Sequence, residues 1–418
     1  MLEMKLVSKR CGVIDPLSIK DYIDNGGYKA LTKALADGKE KTISEIQASK
    51  VRGRGGAGFP LAIKISSVAK EIADVKYLVC NADEGEPGNF KDRYLMENDP
   101  HGMIEGMVID AYLTGATKGY IYIRGEYQKA QKIVETALEA AKNANYLGKN
   151  ICGAGFDFDL EIRSGAGSYV CGEEFALLES IEGKPGRSRV KPPFPTQKGL
   201  FGKPTQINNV ETFATIPVII LMGGSEYQKI GTPTSTGTKL VSLCGNVRNK
   251  GVYEIPFGLS LREVIDKLGG GVDGGHKIRM VQLGGASGPI IPESMIDLSI
   301  DFDHFDVFSA KAGSGALIVI DERADMFEIL QRIMEFFVHE SCGKCTPCRE
   351  GNLQLLKIIN RFVEGKGRKS DLETLSILTN VMKNTSLCGL GQASPTAIIS
   401  TMRYFPDEYE KRLAKDEM

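Results

Sequence analysis

In the first half of the chain, short apolar runs alternate with segments whose apolar residues recur at helical spacing. The runs Tyr77–Cys80, Tyr120–Ile123 and Leu160–Ile162 predict strands. Helices are predicted around them, over Tyr127–Lys142 and Glu173–Ser180. Strands that alternate with helices indicate an α/β domain with a largely parallel sheet.

Residues 1–50 precede these strands and form a mixed extension with predicted helices of their own. One helix is predicted near Tyr28–Ala36. A second is expected to begin at Thr42-Ile43-Ser44-Glu45, which has the spacing of a capping box. A glycine-dense stretch at 53–60 then leads into another segment with helical spacing.

The pattern changes after Gly231–Gly237, a small, polar segment with the composition of a linker. Several strands and one helix are predicted beyond it, which indicates a small α+β module. The strands are Lys239–Gly245, Val252–Ile255, Arg279–Leu283 and Ala316–Ile320, and the helix is Ser260–Leu268.

From Asp325 onward the pattern is helical, which predicts a small helical bundle. Helices are expected over Met326–Val338 and Leu353–Val363, and a third from the capping box Ser370-Asp371-Leu372-Glu373. The predicted domains are therefore an extension at 1–50, an α/β domain at 51–237, the α+β module at 238–324 and the bundle at 325–418.

The composition is that of a globular protein and excludes several functional classes. The 418 residues are 42% hydrophobic and 25% charged, enough for several packed domains. The 52 basic and 53 acidic residues give a net charge of −1, which argues against a nucleic-acid binder. Apolar runs stay far below the ~20 residues that span a bilayer. The charged N-terminus does not resemble a signal peptide, so we expect a soluble, intracellular chain.

Four of the nine cysteines form a candidate metal site. Cys342, Cys345 and Cys348 have C-x2-C-x2-C spacing, Cys388 lies farther along, and Gly343 and Pro347 predict an irregular loop on which the three thiols converge. This spacing favours a [4Fe–4S] cluster over structural zinc or a redox dithiol, which remain alternatives. The remaining cysteines are predicted to be small buried hydrophobic residues, namely Cys11, Cys80, Cys152, Cys171 and Cys244.

A glycine loop, GRGGAGFP at 53–60, is the first candidate ligand site. Gly53, Gly55 and Gly58 match G-x-G-x-x-G, but a predicted helix precedes them where a dinucleotide fingerprint needs a strand. The loop is therefore either a cradle for a phosphate or flavin or simply a tight turn.

Two more loops combine glycine with carboxylates. In NADEGEPG at 81–88, Asp83, Glu84 and Glu86 follow a predicted strand, where α/β sheets bind ligands. They either accept hydrogen bonds from ribitol or ribose hydroxyls or form a solvated acidic turn. The loop at 165–175 places Gly172, Glu173 and Glu174 at the start of a helix.

Taken together, GRGGAGFP, NADEGEPG, YVCGEE at 169–174, KPPFP at 191–195, INNVET at 207–212 and ESCGKCTPCREG resemble one family. It is the F-type, NADH-binding, FMN-carrying subunit of respiratory complex I, NADH:quinone oxidoreductase. The same core occurs in diaphorase subunits of NAD-linked hydrogenases and formate dehydrogenases. The resemblance implies a Rossmann-like FMN domain, a β-grasp module that binds soluble ligands, and a helical bundle carrying a [4Fe–4S] cluster.

The resemblance also implies which residues bind each group. The cluster ligands would be the four clustered cysteines. FMN would be held by Gly53, Arg54, Gly55, Gly56, Gly58, Lys64, Asn81, Asp83, Glu84, Gly172, Glu173, Asn208, Asn209 and Thr212. NADH would be held by Phe59, Glu86, Glu174, Lys191 and Phe194, with its adenine between the two phenylalanines.

The chain departs from the family pattern in one place. After the glycine loop the family commonly reads TGLKW, whereas this chain reads LAIKI, without tryptophan at Ile65 and with Ser67 in place of an aromatic residue. The adenine pocket therefore lacks one expected aromatic wall.

The implied function is electron input into a proton-pumping NADH dehydrogenase. FMN would take a hydride from NADH and release single electrons to the cluster, so no protein acid or base is required. The partners would be a small thioredoxin-like [2Fe–2S] subunit and a large multi-cluster subunit, in the peripheral arm of a membrane complex on the inner face of the plasma membrane. The lack of fused ferredoxin-like or thioredoxin-like modules favours complex I over a hydrogenase or formate dehydrogenase diaphorase. The non-enzyme alternative is a zinc-stabilised scaffold that binds a ligand such as a cobalamin.

Overall fold

The computed structural model describes residues 2–307 and 314–415, and its first half is built around a parallel sheet. Within the described chain this sheet has four strands in the order β3-β2-β1-β4. They are β1 (Tyr77–Ala82), β2 (Lys118–Ile123), β3 (Asp159–Ser164) and β4 (Thr205–Asn209). The predicted α/β class is confirmed, but β4 was not predicted, because its sequence TQINN is mostly polar.

Helices cover this sheet, and those predicted around β1–β3 are confirmed. Helix α6 is buried along almost its whole length and packs against α10, where a Cβ on Gly106 would lie 1.9 Å from the Phe213 carbonyl oxygen. The helices are α1 (Ile19–Asp24), α2 (Lys29–Asp37), α3 (Lys39–Ala48), α4 (Leu61–Lys70), α5 (Lys91–Asn98), α6 (Pro100–Thr114), α7 (Gln128–Asn143), α8 (Glu174–Ile181), α9 (Pro195–Lys198), α10 (Val210–Met222) and α11 (Gly224–Gln228).

The capping box predicted at Thr42–Glu45 is wrong. Helix α3 begins at Lys39, after Gly38, whose φ of +81° ends α2 and redirects the chain. Thr42 lies inside α3, and its hydroxyl donates to the Gly38 carbonyl at 2.7 Å. The glycine is therefore the stronger local determinant, because few other residues adopt this backbone conformation.

A mixed sheet follows, in the order β6-β5-β9-β7-β8 as far as the described residues go. β5 pairs antiparallel with β6 and parallel with β9, and β7 is antiparallel to β9 and β8. The predicted small α+β module is confirmed, and the short β8 is an addition to it. Its elements are β5 (Thr238–Gly245), β6 (Gly251–Pro256), α12 (Leu261–Glu263), β7 (Ile278–Leu283), β8 (Ile290–Pro292), α13 (Phe302–Val307) and β9 (Ala316–Asp321).

The C-terminal region is a helical bundle, as predicted, but two of its helices begin earlier than expected. Helix α15 begins at Thr346, not Leu353, because Pro347 occupies its first turn. Helix α16 begins at Lys369, and its N-cap is Arg368, two residues before the predicted N-cap Ser370. The Arg368 N–H donates to the Asp371 carboxylate at 3.1 Å. The helices are α14 (Met326–Glu340), α15 (Thr346–Val363), α16 (Lys369–Thr385), α17 (Gly389–Ala393), α18 (Thr396–Tyr404) and α19 (Pro406–Glu410). None of the described helices is long and apolar enough to cross a bilayer.

The two faces of the parallel sheet contribute to different hydrophobic clusters. Leu78 and Cys80 on β1 belong to the same hydrophobic cluster as Tyr22 and Leu31 of the N-terminal extension. Val79, which points to the other face, belongs to the cluster that contains the bundle helices. The alternation of side chains along a strand thus attaches both flanking regions to one sheet.

The N-terminal segment is also anchored to the mixed sheet, through Glu254 on β6. The carboxylate of Glu254 is buried and accepts hydrogen bonds from the N–H groups of Leu6, Val7 and Ser8 at 2.8 to 3.0 Å. We expect Glu254→Ala to lower the free energy of unfolding by about 3 kcal/mol, because it leaves several buried donors without an acceptor. Urea unfolding measures this, and Glu226→Ala, at an exposed glutamate, is the control. Equal loss in both variants would contradict the anchoring role.

Candidate functional site

The carboxyl ends of β1 and β4 bring three asparagines together. The parallel register places Asn208 opposite Cys80 and Asn209 opposite Asn81. The Asn81 amide donates to the Gly172 carbonyl at 2.8 Å, and the Asn209 amide donates to the Asn81 carbonyl at 3.3 Å. Two strands and the loop before α8 therefore meet at one edge, where α/β sheets bind ligands.

Two buried polar atoms at this edge have no hydrogen-bond partner among the described residues. They are Oδ2 of Asp83 and Nδ2 of Asn208. Burial raises the pKa of the Asp83 carboxyl to about 7. Because buried polar groups are normally paired, this acceptor and donor indicate a bound ligand with complementary groups. The polar edges and ribityl hydroxyls of FMN supply such groups.

The glycine loop closes tightly over the same edge. The Gly53 N–H donates to the Phe59 carbonyl at 2.9 Å, and Gly56 and Gly58 have φ values of +125° and +63°. A Cβ added to Gly55 would lie 2.8 Å from Cβ of Asn209. The backbone at Gly55 therefore lies against the carboxyl edge so closely that a side chain larger than that of glycine does not fit.

The side chain of Arg54 is buried and bonded within the protein. Its backbone N–H donates to the Thr212 hydroxyl at 2.8 Å. Its buried guanidinium donates to the Thr236 carbonyl at 2.7 Å and lies 4.8 Å from the centre of the Phe257 ring. The guanidinium thus supports the junction with the mixed sheet, and Arg54 and Thr212 fix the glycine loop by their own contact.

Lys64 lies beside the unpaired amide of Asn208. Its ammonium donates to the Ile207 carbonyl at 2.8 Å and to Oδ1 of Asn208 at 3.2 Å. Burial lowers the pKa of Lys64. A phosphate or flavin oxygen bound next to the Lys64 ammonium would supply the negative charge or partial charge that its protein neighbours do not fully provide.

Asp110 was not identified from the sequence and lies behind Lys64. Its carboxylate accepts from the Gln206 amide at 2.5 Å, and burial raises the pKa of Asp110 to about 8. In the sequence, the one indication of a special role for Asp110 is that it is an acidic residue within the apolar run of α6.

The pKa of Asp110 predicts a pH-dependent stability difference. The folded chain keeps this carboxyl protonated up to about pH 8, whereas the unfolded chain loses the proton near its ordinary pKa of about 3.9. The folded state therefore binds more protons across this window, and the free energy of unfolding falls as pH rises. Asp110→Asn removes this pH-dependent contribution. The free energy of unfolding of the variant, relative to that of the native chain, should therefore rise with pH, by up to about 1.4 kcal/mol per pH unit.

Urea unfolding at pH 5 and pH 8 measures this difference. Asp157→Asn is the control, because that carboxylate is exposed and paired with Lys149. Parallel pH profiles for Asp110→Asn and the native chain would contradict the prediction.

Two of the acidic-loop carboxylates are already bonded within the protein. Glu84 accepts from the N–H groups of Asp92 and Arg93 at 2.9 and 3.0 Å and so caps α5, and burial raises the pKa of Glu84 to about 7. Glu86 accepts from the Tyr169 hydroxyl at 2.6 Å and from the Ser287 N–H at 2.8 Å. Glu86 thus connects the α/β domain to the mixed sheet, and Ser287 is a partner that the sequence did not reveal.

The loop before α8 carries a small charge cluster. Glu173 caps α8 by accepting from the N–H groups of Phe175 and Ala176 at 3.1 and 3.0 Å. The Lys191 ammonium lies 3.3 Å from Glu173 and also contacts Glu174. One cation is therefore shared between two carboxylates.

The two aromatic rings of the predicted adenine pocket are open to solvent. Phe59 is 49% and Phe194 is 51% exposed, so both rings are accessible to a stacking ligand. Where the family pattern has an aromatic residue, Ser67 donates its hydroxyl to the Ile63 carbonyl within α4.

The four clustered cysteines line one cavity at the start of the bundle. Cys342 lies in the loop after α14, Cys345 immediately precedes α15, and Cys388 immediately precedes α17. The prediction of one irregular loop is wrong for Cys348, which lies in the first turn of α15. The other lining residues are Val170, Ser188, Ser341, Lys344, Leu387 and Leu390.

This arrangement fits a cluster better than a single ion. Structural zinc sites usually take their cysteines as two C-x2-C pairs, whereas three of these cysteines lie within the segment 342–348 and the fourth lies at 388. Four thiols that line one cavity provide the four thiolates by which a [4Fe–4S] cluster is held. Burial raises the pKa of Cys348 to about 11, so metal binding must displace its proton.

The remaining cysteines divide by exposure. Cys11, Cys80 and Cys171 are buried, as predicted, and Cys244 is half-buried. The prediction is wrong for Cys152, which is exposed in a turn where its own φ is +49°.

Family models match three parts of the chain. Residues 46–218 match the Nuo51 FMN-binding domain, and residues 328–412 match the NADH-ubiquinone oxidoreductase-F iron-sulfur binding region. Residues 240–292 match the SLBB domain, in the region of the predicted β-grasp module.

Relatives match almost the whole chain. The NADP-reducing hydrogenase subunit HndC of Solidesulfovibrio fructosivorans is 47% identical over 98% of this chain and 83% of its own length. An NADH-quinone oxidoreductase F subunit of Rhizobium meliloti is 46% identical over 94% and 93%. The corresponding F subunit of Aquifex aeolicus is 45% identical over 94% and 91%.

The fold agrees with a solved structure. An NAD+-reducing [NiFe]-hydrogenase in the H2-reduced state superposes with a TM-score of 0.86 at 35% identity, over 94% of this chain. This chain spans 66% of that hydrogenase chain. The predicted fold class, FMN and the [4Fe–4S] cluster are thereby confirmed. The chain belongs to the family of NADH-quinone oxidoreductase F subunits, with their FMN-binding domain and their iron–sulfur binding region.

Proposed function

We propose that this chain accepts electrons from NADH at the carboxyl edge of the parallel sheet and delivers them through the four-cysteine cavity to a partner. One observation carries the proposal. Val170 lines the cysteine cavity, and the Gly172 carbonyl accepts from Asn81 at the flavin edge. Residues this close in sequence are separated by less than about 8 Å. The two cofactor sites are therefore near neighbours.

The protein's own residues hold and separate the two sites. When bound, FMN accepts hydride and releases single electrons, which is chemistry the side chains do not supply. Asp83 and Asn208 offer a carboxyl oxygen and an amide hydrogen to the flavin, and Gly55 lets the backbone approach it. Phe59 and Phe194 offer stacking faces to the nicotinamide dinucleotide. We propose these residue assignments together with domain boundaries at 1–50, 51–237, 238–324 and 325–418.

The direct test is the composition and spectrum of the anaerobically purified chain. We expect FMN and about four iron and four sulfide per chain. NADH should bleach the flavin band at about 450 nm and then produce the signal of a reduced cluster in electron paramagnetic resonance. A colourless protein with stoichiometric zinc would support the scaffold alternative and end the proposal.

The charges around Lys191 predict a preference for NADH over NADPH. Glu173 and Glu174 both contact this cation, and their two carboxylates would repel an additional ribose phosphate. We expect the native chain to favour NADH in a ferricyanide assay, and Glu174→Gln to weaken that preference. Comparable kcat/KM values for the two nucleotides in the native chain would contradict it.

The electrons need an acceptor outside this chain. The proposed partners are a small thioredoxin-like [2Fe–2S] subunit and then a large multi-cluster subunit, in the peripheral arm of a proton-pumping complex on the inner face of the plasma membrane. The relatives named as F subunits of NADH-quinone oxidoreductase support this assembly. The HndC relative and the hydrogenase structure favour, as second candidate, the diaphorase of an NAD-linked hydrogenase.

Affinity purification of the tagged chain from its native cells separates the two assemblies. Recovery of quinone-reducing activity and membrane subunits supports the complex, whereas recovery of hydrogenase activity supports the diaphorase. A chain that purifies alone, with no [2Fe–2S] protein, would contradict both.

A further inference from the structure

A buried amide contacts one of the four cluster cysteines. Asn352 lies on α15 one helical turn after Cys348 and has no exposed surface. Its Nδ2 lies 3.4 Å from the Cys348 sulfur and donates to it. Helical i, i+4 spacing fixes this contact, because it places both side chains on one face.

A hydroxyl contacts the same sulfur from the opposite end of the motif. The Ser341 oxygen lies 3.3 Å from the Cys348 sulfur. The same oxygen accepts from the Gly343 N–H at 3.3 Å. Because that contact uses a lone pair of the hydroxyl, its hydrogen remains available to the sulfur. A sulfur that ligates iron is deprotonated and acts only as an acceptor, so both side chains donate.

Packing alone does not account for the amide. Leu355, Ile359 and Phe362 follow Asn352 on α15 and are completely buried apolar residues. The Asn352 carbonyl oxygen is buried without a partner among the described residues. A leucine of similar size would fill the same space and leave no unpaired oxygen. Among residues 2–307 and 314–415, the contact with Cys348 is therefore the one favourable polar interaction that the amide makes.

We propose that Asn352 and Ser341 are positioning residues that raise the reduction potential of the cluster through hydrogen bonds to the Cys348 sulfur. This inference rests on the proposed function, because it requires a bound [4Fe–4S] cluster. Reduction adds negative charge to the cluster and its sulfurs, and a donor directed at a sulfur stabilises the reduced form more than the oxidised form. The two donors thus favour acceptance of each electron that leaves the flavin edge.

The test is the midpoint potential of the cluster in the complete, anaerobically purified chain. Electron paramagnetic resonance follows the signal through a redox titration of the native chain and of Asn352→Leu, Asn352→Asp and Ser341→Ala. Asn384→Leu, at an exposed asparagine on α16, is the matched control. Iron and sulfide are measured in every sample.

We expect both single-donor losses, Asn352→Leu and Ser341→Ala, to shift the midpoint to more negative values. Asn352→Asp should shift it further, because a carboxylate replaces a donor with a negative acceptor. The control should leave it unchanged, and the flavin midpoint should not move in any variant.

The outcomes separate this inference from the function on which it rests. A native chain without a cluster signal would overturn the proposed function itself. Fully loaded Asn352→Leu and Ser341→Ala variants with the native midpoint would overturn the inference and leave the function standing. If Asn352→Leu fails to load iron, Ser341→Ala decides, and an unshifted midpoint in that variant overturns the inference.

Discussion

Replacing Cys388 with alanine is expected to abolish the iron–sulfur cluster while preserving the flavin site. Cys388 precedes the short helix α17 and lines the cysteine cavity from outside the segment 342–348, so it is the proposed fourth ligand of the cluster. With three thiols left, iron and sulfide content should fall at least tenfold, because the cluster is held by four thiolates. The flavin edge is formed by β1, β4 and the loop before α8, so FMN should remain.

Two measurements check this expectation. NADH should still bleach the flavin band of Cys388→Ala, whereas the cluster signal in electron paramagnetic resonance should be absent. Cys152→Ala is the matched control, since it removes an exposed thiol far from the motif in sequence and should keep full iron. A Cys388→Ala chain with native iron content and a native signal would show that this thiol is not a ligand.

Replacing Gly55 with valine is expected to abolish FMN binding. A Cβ at this position would lie 2.8 Å from Cβ of Asn209, closer than real Cβ contacts allow. Asn209 is held by Lys91, Asp92 and the Asn81 carbonyl, so it cannot move without breaking three partly buried hydrogen bonds. The added methyl groups must therefore displace the glycine loop. We expect the affinity for FMN to fall at least a hundredfold.

FMN content after dialysis and fluorescence titration with free FMN measure this loss. Gly251→Val is the matched control, because a Cβ there meets only ordinary contacts on the edge strand β6 and valine suits a strand. Iron content should stay near native in both variants. Retention of FMN by Gly55→Val would contradict the placement of the glycine loop over the flavin.

Periodicity predicted the strands β1–β3, the helices around them and the C-terminal bundle, because their apolar residues are buried on regular faces. It missed β4, whose polar sequence is stabilised by pairing with β1 and by contacts at the carboxyl edge. It misplaced the start of α3, because the glycine at 38, with its positive φ, outweighs the threonine at 42. Local motifs for helix ends therefore fail where a backbone conformation is fixed by a neighbouring element.

The sequence also identified the loops of the site but not the role of each side chain. Arg54, Glu84 and Glu86 belong to the motifs, yet the structure shows each bonded within the protein. Asp110 and Ser287 belong to no motif and acquire their roles from elements far away in the chain.

The sequence by itself determined the family, the four cysteines and the glycine and carboxylate loops, because residue types at fixed spacing carry that chemistry. Only the tertiary structure decided which of those side chains remain open to a ligand. That depends on partners hundreds of residues apart, such as Glu86 and Ser287, which periodicity does not encode. The position of the two sites relative to each other was also decided by the tertiary structure. The hydrogen bond between the Asn81 amide and the Gly172 carbonyl joins residues far apart in the chain and brings the flavin edge beside the cysteine cavity.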